Sequence, residues 1–182
     1  MPIHQSYISE YLVTFSTLAL VPHTINGRLY TRVIENHAEF VVHQKPLTII
    51  KKSLAFYGTT LSQSILYSRQ IVGNLNKVPI ILSHDFGSPL ILFPTLSPES
   101  EHNIWIAFGA IDHYDQTVKG QCTVHFKRDK KLEVPSSFNT MCRQFFLCHY
   151  LTNHYMKMRE TLNPPTTNSH MIYLPQRTMH EQ

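Results

Sequence analysis

This chain lacks carboxylates over one long stretch and lacks cations over the next. Between Glu39 and Asp85 there is no Asp or Glu, while Lys45, Lys51, Lys52, Arg69 and Lys77 are present. From Asp85 to Val118 the pattern inverts: Asp85, Glu99, Glu101, Asp112 and Asp115 stand without a single Lys or Arg. A third block sets Lys119, Lys127, Arg128, Lys130 and Lys131 against Asp129 alone. Charge that only solubilises a surface is interspersed, so this sorting points to a surface that meets a charged partner. The natural candidate is an anionic polymer.

Other absences narrow the class. The three cysteines (Cys122, Cys142, Cys148) are an odd set without framework spacing, which favours a reducing, cytosolic setting over secretion. Met1 to Ser16 has no basic stretch before an apolar run and carries Glu10 in its middle, so it does not read as a signal peptide. No run approaches the roughly 18 apolar residues that cross a bilayer. A soluble, cytoplasmic protein with no membrane partner is expected.

Catalytic signatures are missing too. There is no glycine-rich phosphate loop and no Gly-x-Ser-x-Gly elbow. Asp85-Phe86-Gly87 is a kinase string without the other kinase loops that give it meaning. Cys122 and His125 invite a zinc reading, with His113 or Cys142 as further ligands, but no Cys-x-x-Cys or helical His-x-x-x-His supports it. A buried strand cysteine is the simpler reading. Cys148 and His149 are neighbours on an expected helix and would point about 100° apart, which does not make a nucleophile and its base. Neither an enzyme nor a cofactor or metal site is expected.

What is present suffices for one core. The 182 residues are 42% hydrophobic and include 10 Phe and 9 Tyr, ample for a globular domain. The net charge of +4 is mild, so nucleic acid could be bound only if the cations gather on one face. Twelve histidines add positive charge in acid, so electrostatic binding should strengthen on acidification.

The hydrophobic pattern predicts a strand over Tyr7–Val21 broken at Pro22, a hairpin turn at Asn26-Gly27, and strands at Arg28–Ile34 and Glu39–Val42. After Pro46, Leu47, Ile50, Leu54 and Tyr57 fall at helical intervals, with Gly58 as the cap. Thr59-Thr60 then opens a second helix bearing Leu61, Ile65 and Leu66 and ending before Gly73, although Ile71-Val72 also suits a strand edge. Short β runs follow at Val78–Leu82, Leu90–Phe93, Ile104–Ile111, Cys122–Phe126 and Leu132–Val134. Trp105 lies in one of them and reads as core. Ser136 or Ser137 caps the longest helix, Phe138–Arg159, with Met141, Phe145, Cys148, Leu151 or Thr152, and Tyr155 on one face. The fold class is α+β: a single domain over residues 1–160, built of N-terminal strands, central helices, a β-meander and a long C-terminal helix. A flexible tail over 161–182 completes it.

Several pieces occur in a telling order. These are Lys45-Pro46-Leu47, Ser53-Leu54-Ala55-Phe56-Tyr57-Gly58, Lys77-Val78-Pro79-Ile80, Phe93-Pro94-Thr95-Leu96-Ser97 and Ile104-Trp105-Ile106. The series resembles the competence transcription factor ComK family, closely over Lys45–Ile106 and more loosely to Tyr155. The resemblance implies a DNA-binding activator of DNA-uptake genes that binds paired A-rich and T-rich boxes as an oligomer, largely through the minor groove. A-tracts suit such binding, because their narrow minor groove concentrates negative potential. It also implies turnover through a Clp protease adaptor, for which Met171–Pro175 is similar in composition and place to the family's recognition element.

One departure bears on strength. Where family members carry Gly-Arg-Lys, this chain has Gln63-Ser64-Ile65. A reduced DNA grip is therefore expected, with a paralogue acting through protein contacts as the alternative. The residues expected to contact DNA are Lys51, Lys52, Arg69 and Lys77, with Lys127, Arg128, Lys130 and Lys131 forming a polar hairpin tip that joins them if it reaches the duplex.

Overall fold

Asn26 and Gly27 have φ of 50° and 74°, the left-handed pair that a two-residue type I′ turn demands. In the computed structural model, which describes residues 7–84 and 87–162, this turn joins β2 (Thr17–Ile25) to β3 (Arg28–Glu35) with Ile25 opposite Arg28. Hydrogen-bonded and open pairs alternate away from such a turn. Pro22, opposite Thr31, therefore falls at an open pair and its nitrogen faces away from β3. On that other side β7 (Trp105–Ala107) pairs with β2 only at Ala19 and Leu20, so the ladder there is intact. The expected break at Pro22 does not occur. The predicted strand instead divides earlier, into β1 (Tyr7–Ile8) and β2, with irregular chain between them.

β4 (Glu39–Val42), β5 (Ile80–Ser83) and β6 (Leu90–Pro94) complete a seven-stranded sheet in the order β1-β4-β3-β2-β7-β6-β5. β8 (Ile111–Val118), β9 (Gln121–Phe126) and β10 (Lys131–Val134) form a second, antiparallel sheet. The run read as one strand from Ile104 to Ile111 is in fact β7, a 3-10 turn at Phe108–Ala110 and the first residue of β8. β8 escaped the sequence reading because Ile111 is its one buried residue, which leaves no alternation to detect.

Strands buried on both faces read as continuous apolar runs, and β5, β6 and β7 are of this kind. Ile80, Leu82, Leu90, Leu92 and Trp105 pack with Ile49, Ile50 and Leu54 of α1 (Pro46–Phe56) on one face. On the other face Ile81, Ile91, Phe93 and Ile106 pack with Cys122, Val124 and Phe126 of β9 and with Met141, Cys148 and Leu151 of α3 (Phe138–Leu162). Each of these larger side chains contributes roughly 1.5–3 kcal/mol when fully buried. The large sheet is thus the middle layer of three.

The helix starts and stops match the sequence signals. Pro46 opens α1 and Gly58, at φ 84°, follows its end. The Thr60 side chain accepts from the Gln63 N–H at the start of α2 (Leu61–Val72), which takes in Ile71 and Val72. Ser137 Oγ accepts from Thr140 N–H at the start of α3. The buried positions of α2 differ from those expected. Leu66 is 58% exposed, whereas Ser64 and Ser68 are buried. α2 runs along the free edge of β5, where Ser64 Oγ accepts from Ile81 N–H (3.1 Å) and donates to Ile81 O (2.9 Å). A hydroxyl replaces the missing neighbour strand at that residue, which an apolar side chain could not do.

Candidate nucleic-acid interface

Register fixes which loops meet. Ile80 opposes Leu92 and Pro94 opposes Trp105, so β5 begins where β6 ends and β7 begins. The β2–β3 turn lies at this end too, because Leu20 opposes Trp105. The opposite end gathers the β3–β4 loop, the start of β6 and the 3-10 turn. The eight cations singled out from the sequence are distributed between these ends and α1.

Arg69 and Lys77 serve the first end. Arg69 Nε donates to Leu75 O at 3.1 Å and holds the segment after α2. Lys77 Nζ reaches Thr95 O at 3.4 Å, while its own carbonyl accepts from Gln144 Nε2 of α3 at 3.2 Å. This contact brings α3 beside the loop and opens a cleft of about 310 Å³ lined by Asn74, Leu75, Asn76, Lys77, Thr140, Arg143 and Gln144. Among the described residues, two cations, three amides and no carboxylate line it. Gln144 is 2% exposed and its Oε1 has no hydrogen-bond partner among the described residues. Sequence reasoning missed Arg143, which lies outside both basic blocks, and only tertiary packing puts it beside Lys77.

Lys51 and Lys52 are exposed on α1, on the other side of the large sheet from α3. Lys52 Nζ lies 2.5 Å from Glu10 Oε1, and Lys45 Nζ lies 2.6 Å from Glu101 Oε1. In each case the lysine's hydrogen bond, then its charge, holds the carboxyl below its usual range. The stretch that lacks carboxylates in sequence is therefore met by carboxylates in space.

The third group sits at the far end. Lys127 Nζ donates to Gly109 O at 2.7 Å, and Lys130 Nζ donates to Glu35 O at 2.6 Å and Ala38 O at 3.1 Å. Arg128 pairs with His37 Nε2 at 2.5 Å. These bonds fasten the β9–β10 turn to loops of the large sheet, and a carbonyl partner leaves the ammonium charge uncancelled. Lys131 is exposed on β10, opposite His125.

With this geometry in place, comparison with known proteins is informative. The family model for the ComK protein matches residues 8–160. The chain belongs to the ComK family. It is 26% identical over 166 residues to the competence transcription factor of Bacillus subtilis (strain 168), covering 91% of this chain and 85% of that protein. No solved structure matches.

The positions where the resemblance led one to expect a basic pair acquire a physical meaning. Ser64 is buried on the β5 edge and Ile65 packs partly into the core beneath α1. Neither position presents a charge in this ComK family member. Other reactive-looking groups are also absorbed by the fold. Cys148 is fully buried, which pushes its thiol well above the usual range, and His149 packs against Phe108 and Phe145. Among the described residues no helix is long and apolar enough to cross a membrane. The adaptor-like Met171–Pro175 and the kinase-like Asp85-Phe86 lie outside the described residues.

Proposed function

We propose that this chain is a competence transcription factor that binds AT-rich promoter DNA, with the cleft of Lys77, Arg143, Asn74, Asn76 and Gln144 as its main contact. The observation that carries the reading is the lining of that cleft among the described residues: cations and amides without a carboxylate. Arg, Lys, Asn and Gln are the side chains that read the minor groove and its phosphates. Family membership supports the biological role. Phe146 and Tyr150, exposed at 67% and 50% and stacked 6.5 Å apart on α3, favour assembly into a homo-oligomer.

A gel shift on AT-rich promoter DNA across a salt series tests this. The full chain should bind, with a log–log salt slope near −0.9 per phosphate neutralised. Lys77→Ala with Arg143→Ala should weaken binding and flatten that slope. Unchanged binding in the double variant sinks the site. A second reading, a paralogue that acts through protein contacts, is favoured by the carboxylates that meet Lys45 and Lys52. Absence of any AT-rich binding by the full chain would select it.

A further inference from the structure

Strand alternation decides which residues around Cys122 and His125 can act together. On β9, Cys122, Val124 and Phe126 point into the core, so Thr123 and His125 belong to the outer face. Cys122 and His125 cannot share a ligand sphere. Antiparallel register instead sets His113 of β8 directly opposite His125, with the rings stacked at 4.1 Å and 14°. Asp115 is two residues along β8 on the same face, diagonal to His125.

The polar atoms converge. Asp115 Oδ2 lies 3.7 Å from His113 Nε2 and 3.1 Å from His125 Nε2. One ligand atom from each of the three residues can be chosen with all three within 4.8 Å of one another. Asp112 supports the arrangement from behind: its Oδ2 lies 2.8 Å from His113 Nδ1. Sequence neighbours on a regular strand point to opposite faces, but the β8–β9 register shifts between Ile111 and His113, which permits this contact. With Nδ1 donating to Asp112, Nε2 of His113 is a lone pair facing a carboxylate. Either a proton on that nitrogen or a cation between the two groups makes the juxtaposition favourable.

Two imidazole nitrogens and a carboxylate oxygen make a donor set suited to zinc-class ions. A carboxylate behind a ligand histidine is the outer partner that orients such rings. We propose that His113, Asp115 and His125 form a binding site for a divalent transition metal of the Zn²⁺ class on the outer face of the small sheet. His113 and Asp115 are 54% and 63% exposed, which leaves room for water to complete the coordination. Across β10, Lys131 stands opposite His125 and Glu133 opposite Thr123. The lysine opposes the ion and the glutamate favours it. The ion would bridge β8 to β9, so its binding stabilises that hairpin.

The test is calorimetric titration of the full chain with Zn²⁺, paired with Co²⁺ absorption spectra. The expected result is one ion per chain and a higher Tm with Zn²⁺. His113→Ala or His125→Ala should weaken uptake more than about tenfold, and Asp112→Ala by about tenfold. His149→Ala and His154→Ala should leave it unchanged. Circular dichroism checks the fold of each variant, and His113→Gln, at a mostly exposed position, gives a second measurement. No uptake by the full chain, uptake unchanged in the His113→Ala/His125→Ala variant, a Zn²⁺-induced rise in Tm retained by His113→Gln, or a thiolate charge-transfer band with Co²⁺ would each overturn the site.

Discussion

At the start of β5, Lys77 and Arg143 line a cleft shared with amide side chains. At the β9–β10 turn, Lys127 and Lys130 are drawn onto backbone carbonyls of neighbouring loops. Both regions are basic and, among the described residues, neither has a carboxylate as its bonding partner. Among the described residues the cleft cations have weak or absent partners, Lys77 making only a 3.4 Å contact, so a phosphate could replace what they have. The turn cations join two layers of the fold, and a ligand would have to compete with those bonds. Equal charge in the sequence thus separates into the proposed binding surface and a fastening for structure.

The sharpest way to break this contrast is to compare two double variants on DNA. Lys77→Ala/Arg143→Ala should cost about 1–3 kcal/mol in binding and reduce the salt slope by about one for each phosphate no longer neutralised, with Tm little changed. Lys127→Ala/Lys130→Ala should do the reverse, lowering Tm while weakening binding less. If both act on DNA alike, the distinction fails. Next in size is Ser64→Ala, which leaves the Ile81 N–H and C=O without their hydroxyl partner on the β5 edge. A loss of about 1–3 kcal/mol in denaturant unfolding is expected, and an unchanged midpoint would show that the edge does not need α2's hydroxyl. Lys130→Met alone should cost about 1 kcal/mol of stability, because it frees two carbonyls that water can reach.

The smallest effects concern the carboxylates that meet α1. Glu10 and Glu101 are held below the usual carboxylate range by Lys52 and Lys45. A carboxyl whose folded pKa is lowered contributes stability above its unfolded pKa, and that contribution is lost as pH falls through the lowered value. Both groups are fully exposed, so the change in unfolding midpoint should be close to nil. DNA binding is the better readout. Glu10→Gln/Glu101→Gln should bind AT-rich DNA slightly more tightly near neutral pH, and the advantage over the unmodified chain should vanish in acid. A persistent advantage at low pH would mean that the carboxylates act other than by pairing with Lys45 and Lys52.

Much of the fold was legible because its signals are local. Asn26-Gly27 turned where expected, Pro46 and Gly58 bounded α1, Thr60 capped α2 and Ser137 capped α3. Pro22 misled because a proline's cost depends on where its nitrogen points, and that is set by the distance from the turn and by the reach of β7. Leu66 misled because the β5 edge offers backbone polar groups, which favour a serine face on α2. β8 was missed because a strand with one buried residue carries no hydrophobic period.

The candidate site was less legible. Lys77 came from the carboxylate-free block, but Arg143 lies 66 positions further along the chain and shares its cleft where Gln144 bonds the Lys77 carbonyl. His113 and His125 entered the sequence reading as partners of cysteines, whereas alternation turns Cys122 inward and leaves the two histidines together outside.

The sequence by itself determined the α+β class, most of the turns and caps, the Trp105 core and the family, because propensity, periodicity and short motifs act over a few neighbouring residues. Only the tertiary structure decided which charges are neighbours. Coulomb and hydrogen-bond energies depend on distance in space, and packing brought Glu10 to Lys52, Glu101 to Lys45 and Arg143 to Lys77's cleft.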